Sequence, residues 1–131
     1  MKYREMISAI TNINIITIEQ DKAIKNNPEL ARMPIGVTDA INRNKKALMK
    51  EYDNYTDSLK VLNEKYGVMP NANGDIELGN LSDDDKKKYC VELDELLNVT
   101  FDIQLKNISA DMFGNYEPTL KELDILGFMM D

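Results

Sequence analysis

The chain has no histidine, no tryptophan, one cysteine and four prolines among its 131 residues. Without histidine, the commonest general base, the hydrolase triad and the commonest metal ligand are all absent, which removes most enzyme designs. A single cysteine, Cys90, excludes an internal disulfide and a cysteine-based zinc site. Lying in a helical pattern, it reads as a small buried thiol. No apolar run approaches the roughly 20 residues needed to cross a bilayer, and Thr11, Asn12, Asn14 and Thr17 interrupt the stretch that a leader segment would need. The expectation is a soluble, cytoplasmic chain with no membrane contact. Positive charge is also scarce, with 16 Lys/Arg against 23 Asp/Glu and a net charge of −7. Direct nucleic-acid binding, which needs clustered basic residues to displace phosphate counterions, is therefore not expected.

What is present is a helical seam. Val37, Ile41, Leu48, Tyr52, Tyr55, Leu59, Leu62 and Tyr66 recur by threes, fours and one seven, and Gly67 follows as a residue suited to a left-handed helix end. About 30 residues at a 1.5 Å rise make a rod of roughly 45 Å. A compact body of this chain length is about 36 Å across, so the spacing predicts an elongated or arm-bearing molecule. The rod's apolar stripe is the candidate interface, carried by Tyr52, Tyr55, Leu59, Leu62 and Tyr66. Replacing Leu59 and Leu62 together with lysine is then expected to abolish assembly and leave the C-terminal part folded. Thr38 or Asp39 reads as the cap of this helix, and Asn44, the one polar residue on the seam, as solvent-exposed near the helix start or as a register-fixing asparagine.

Before the rod, Tyr3, Met6, Ile7, Ile10 and Ile13 fall at helical spacing. Residues 13 to 18 are rich in β-branched side chains and read as helix or strand. Ile16, Gln20 and Ile24 continue the helical face and favour one helix to about Lys25, where Asn26-Asn27-Pro28 stops it. After the rod, Asn73-Gly74 marks a tight turn and Asp75 to Leu78 a short strand. Ser82 with Asp85 forms a helix start, followed by the stripe Tyr89, Leu93, Leu96 and Leu97. Val99, Phe101, Ile103 and Leu105 alternate with polar residues, the pattern of a half-buried strand. Ser109 to Phe113 reads as one helical turn, and Thr119 with Glu122 caps a last helix with Leu120, Leu123, Leu126 and Met130 on its apolar face. The expected fold is mainly α with a small β element (α+β): a single domain over 1–131, with a helical hairpin over 1–66 and an acidic helix–strand–helix module over 67–131.

Charge divides along the same line. Residues 1–66 carry 11 Lys/Arg against 9 Asp/Glu, net +2, and residues 67–131 carry 5 against 14, net −9. Asp83, Asp84 and Asp85 sit where acidic residues complement a helix N-terminus and are better explained as capping than as a metal site. The Asn71 to Asp75 loop has calcium-loop spacing, but its first ligand position would be Met69. No catalytic, cofactor-binding or metal-binding residues are assigned. Among the eight methionines, Met129 and Met130 end the chain beside Phe128 and form either a docking tail or the last piece of core.

Three stretches resemble a group of small phage- and prophage-encoded proteins of unknown function. They are Val61-Leu62-Asn63-Glu64-Lys65-Tyr66-Gly67, the run Glu92 to Asn98 with Val99 to Ile103 behind it, and Leu120 to Met129. The resemblance spans about residues 37 to 131 and brings no catalytic residue with it. It implies a phage origin and an accessory role in virion assembly, in the host-cell cytoplasm or on the virion. Two functional expectations follow. One is a non-enzymatic protein acting through self-association or through another phage or host protein. The other is an acidic inhibitor that presents carboxylates to a basic groove of a host nucleic-acid-handling protein.

Overall fold

The computed structural model describes residues 1–29, 32–73 and 75–130. Among the described residues there are four helices, α1 (Tyr3–Asn26), α2 (Ile35–Tyr66), α3 (Asp83–Leu97) and α4 (Leu120–Leu126), with 3-10 turns at Ala110–Phe113 and Gly127–Met129. The β-branched run at 13–18 is helix throughout, because Ile13 and Ile16 continue the buried stripe that Met6 and Ile10 begin. Packing outweighs the small loss of side-chain freedom that β-branching imposes on a helix. α2 is 32 residues long, a rise of about 48 Å. It closes at Gly67 in the left-handed conformation, φ +64°, as the sequence suggests. Its start lies earlier than expected: Pro34 precedes the first turn, Thr38 hydrogen-bonds back to the Ile35 carbonyl at 3.1 Å, and Asp39 pairs with Arg43 at 2.9 Å, so neither residue caps.

α2 is the spine of two apolar clusters. Along its first two-thirds, Val37, Ile41, Leu48 and Tyr55 meet the inner face of α1, and Ile108, Phe113, Leu126 and Met129 close the cluster from the C-terminal segment. Tyr3 is wedged there between Tyr55 and Phe101, with ring centroids 5.6 and 5.4 Å away. Near its end, Leu62 and Val68 pack with Tyr89 of α3, whose hydroxyl donates to Asn63 Oδ1 at 2.6 Å. α3 starts where expected, with the Ser82 hydroxyl accepting from the Asp85 amide at 3.1 Å. Cys90, one position round the helix from Tyr89, is exposed rather than buried.

The β element of the expected α+β fold is corrected: among the described residues there is no strand and no sheet. Phe101, Ile103 and Leu105 are half-buried and Asp102 and Gln104 exposed, so the alternation is real over 101–105, whereas Val99, expected on the same side, is exposed. It records one face laid on helices, not a partner strand. Residues 13–18, which read as helix or strand, are helix, and 75–78 forms only a local bridge between Pro70 and Ile76, at a residue with no amide proton to donate. The backbone of the extended segment is held in two other ways. Near its start, the Phe101 amide donates to the Met1 carbonyl at 2.9 Å and the Tyr3 amide to the Val99 carbonyl at 3.0 Å. At its far end Asn44 acts as a side-chain substitute for a strand: Oδ1 accepts from the Lys106 amide at 2.6 Å and Nδ2 donates to the Lys106 carbonyl at 2.9 Å. Asn44 is therefore 1% exposed, against the expectation of a solvated position. The Asn73-Gly74 turn lies partly outside the described residues. Asn71 Oδ1 organises what is visible of it by accepting from the Asn73 and Asp75 amides.

Candidate functional site

The interface residues drawn from the sequence turn mostly inward. Tyr55 and Leu62 are buried, and Tyr52, Leu59 and Tyr66 are half-buried against the same two clusters. Tyr66 meets Tyr89 edge-on with centroids 5.8 Å apart. At the other end, Met129 is core, Met130 is half-buried and Phe128 keeps an exposed edge. Met129 is fixed by backbone as well, since its carbonyl accepts from the Ile108 amide at 2.9 Å. The seam is brought together as core; it does not form an exposed stripe. Leu120, expected on the apolar face of α4, points to solvent, while Leu126 fills the core.

A different place gathers polar groups in an apolar setting. The second half of α1 and the loop entering α4 enclose a cleft of about 500 Å³, walled by Ile16, Ala23 and Ile24 and floored by Gln20, Tyr116 and Glu122. Thr119 makes the expected capping box, its hydroxyl accepting from the Glu122 amide at 3.1 Å while Glu122 Oε1 accepts from the Thr119 amide at 3.0 Å. The box fixes the Glu122 side chain against α1. Gln20 Nε2 donates to Glu122 Oε2 and to the Tyr116 hydroxyl, both at 3.0 Å, and that hydroxyl lies 3.0 and 2.9 Å from the two carboxylate oxygens. Glu122 is 8% exposed, an acidic side chain held inside by neutral donors alone. Among the described residues no Lys or Arg nitrogen pairs with it, and Lys121 at the rim is tied to Glu19 at 2.7 Å.

Burial first, and then the Glu122 carboxylate, push the Tyr116 phenol up to about 12. An unfolded tyrosine ionises near 10, so the folded chain keeps this proton longer. The resulting stabilisation is whole below about pH 10 and is lost as pH rises through about 12. Phenolate absorbance in native protein should show Tyr116 among the last to titrate. In Tyr116→Phe the alkaline fall in stability becomes shallower, leaving the shares of Tyr55 and Tyr89, which burial also raises. An unchanged alkaline profile would place the Tyr116 hydroxyl in solvent.

Sequence reading places Glu122 as a cap and Gln20 as one more step of a helical face, and assigns Tyr116 nothing. The capping box is a local signal; the meeting of Gln20 with Glu122 spans 102 residues and leaves no trace in spacing. Among the described residues no helix is long and apolar enough to cross a membrane. No group of three or more His, Cys, Asp or Glu there could hold a metal ion. Compared with known protein families, curated proteins and solved structures, the chain matches none of them.

Proposed function

We propose that this is a non-enzymatic phage or prophage protein that works through contacts with other protein chains, as an assembly component. The observation that carries the contact role is surface area. The chain exposes 8990 Å², whereas a compact monomer of 15.0 kDa exposes about 7,000 Å². The excess, about 2,000 Å², is more than the roughly 800 Å² that each partner contributes to a standard stable interface. Exposed apolar side chains are part of it, with Val61 and Met69 the most open near the end of α2, at 67% and 79%. The phage origin rests on the resemblance of the segments 61–67, 92–103 and 120–129.

An acidic inhibitor is supported less well. Its argument was the net −9 of the second half, and folding interleaves the halves. Arg4 pairs with Asp94, Lys65 with Glu92, Lys106 with Asp39 and Lys121 with Glu19, each joining one half to the other. Exposed pairs of this kind contribute little stability, but they set Arg4 and Lys65 of the first half against Asp94 and Glu92 of the second.

Light scattering across a concentration series is the test. The expected result is a mass above 15.0 kDa, reduced toward that value by Val61→Glu with Met69→Glu, at a stability change within about 0.5 kcal/mol. A mass fixed at the monomer value removes self-association and leaves a different phage or host protein as partner. Association that this double variant leaves untouched would remove the α2 end from the contact.

A further inference from the structure

Glu122 lines the α1–α4 cleft as an acceptor without a counter-ion among the described residues. Its hydrogen bonds come from Gln20, Tyr116 and the Thr119 amide, and it is the acceptor in each of them. Two oxygens offer about four acceptor positions. The Tyr116 hydroxyl reaches both oxygens but has a single proton to give, so one position stays open. Gln20 spends its amide protons on Tyr116 and Glu122, and its Oε1 has no partner among the described residues. Glu19 and Glu117 add negative charge at the rim, against the single cation of Lys121. The side walls, Ile16, Ala23 and Ile24, are aliphatic.

We propose that this cleft receives an arginine side chain presented by a partner protein, with Glu122 and Gln20 Oε1 accepting from the guanidinium and the aliphatic walls covering its stem. The proposal deepens the protein-contact reading and rests on it. A buried charge is stabilised when a partner brings the opposite charge with satisfied hydrogen bonds, and a planar fork with several donors fits two neighbouring acceptors better than the point charge of lysine does. A purely apolar occupant would take the last water from the carboxylate and give nothing back.

The probe is n-butylguanidinium, titrated into the full chain and followed by amide chemical shifts, with n-butylurea as the neutral isostere. The expected result is saturable shifts at the Gln20 side-chain amide, Ala23 and Tyr116, with butylurea at least tenfold weaker. Glu122→Gln, which keeps a residue able to complete the capping box, should weaken butylguanidinium at least tenfold. If that variant does not fold, Ala23→Phe fills the wall from an exposed helix position and should abolish the shifts while Glu122 stays in place. Equal binding of butylurea, or no saturable shift at Gln20 and Tyr116, overturns the proposal. A silent cleft in a chain that still associates by light scattering refutes this inference alone; a filled cleft in a strict monomer retains it and removes self-association.

Discussion

Lysine at both Leu59 and Leu62 should unfold the end of the molecule rather than disperse an assembly of folded chains. Leu62 is 8% exposed and packs with Val68 and Tyr89, while Leu59 bridges the two apolar clusters. At the half-buried position a lysine stem can lie along the surface and carry its ammonium to water. Position 62 offers no such route, so the charge is either buried without a partner or freed by undocking α3. The expected loss is about 4 kcal/mol or more, a large share of the 5–15 kcal/mol that typically holds a domain folded. Urea unfolding followed by circular dichroism measures it. A variant that unfolds at the wild-type midpoint, and differs only in molar mass, would return the seam to the role of an exposed interface.

Asn44→Leu is the second large effect. The substitution keeps the branched shape and the number of side-chain heavy atoms, so it leaves no cavity, but it removes both partners of Lys106 at once. A backbone amide and carbonyl left dry each cost on the order of 1–3 kcal/mol. The extended segment should therefore lift to reach water, with a net loss of about 2–4 kcal/mol. Hydrogen exchange at the Lys106 amide gives the sharper measure, because protection there should fall well before protection in α1 or α2. Asn44→Asp retains an acceptor for the amide but turns a carboxylate oxygen toward the Lys106 carbonyl, and should be no better tolerated. Unaltered protection at Lys106 in Asn44→Leu would mean that the side chain is not what holds the segment.

Local signals in this sequence were legible and long-range ones were not. The end of α2 at Gly67, the Ser82 start of α3 and the Thr119–Glu122 box each depend on residues a few positions apart, and the structure has all three. The period of the α2 seam identified a face that must be covered but not what covers it. A stripe that meets a second chain and one that meets α1 and α3 have the same spacing. The alternation likewise reported one half-buried side over 101–105, though not at Val99, and the structure supplies helices where a sheet was expected. Asn44 and Glu122 carry the least local information. One is joined to a backbone 62 residues away and the other to a glutamine 102 residues away, and a buried asparagine or glutamate looks in sequence like a solvated one.

The pairing of Met1 with Phe101, across 100 residues, bears on how the protein is made. Helical proteins usually fold fast because their contacts are near in sequence, yet here α1 is completed by a segment that leaves the ribosome much later. At 5–20 residues per second, about 5–20 s separate the two during synthesis. For the first part of that interval the isoleucine face of α1 has no cover, and once α2 has emerged it is covered along one side only. A nascent chain stalled before residue 99 should therefore be a better substrate for chaperones than its small size and helical content would suggest.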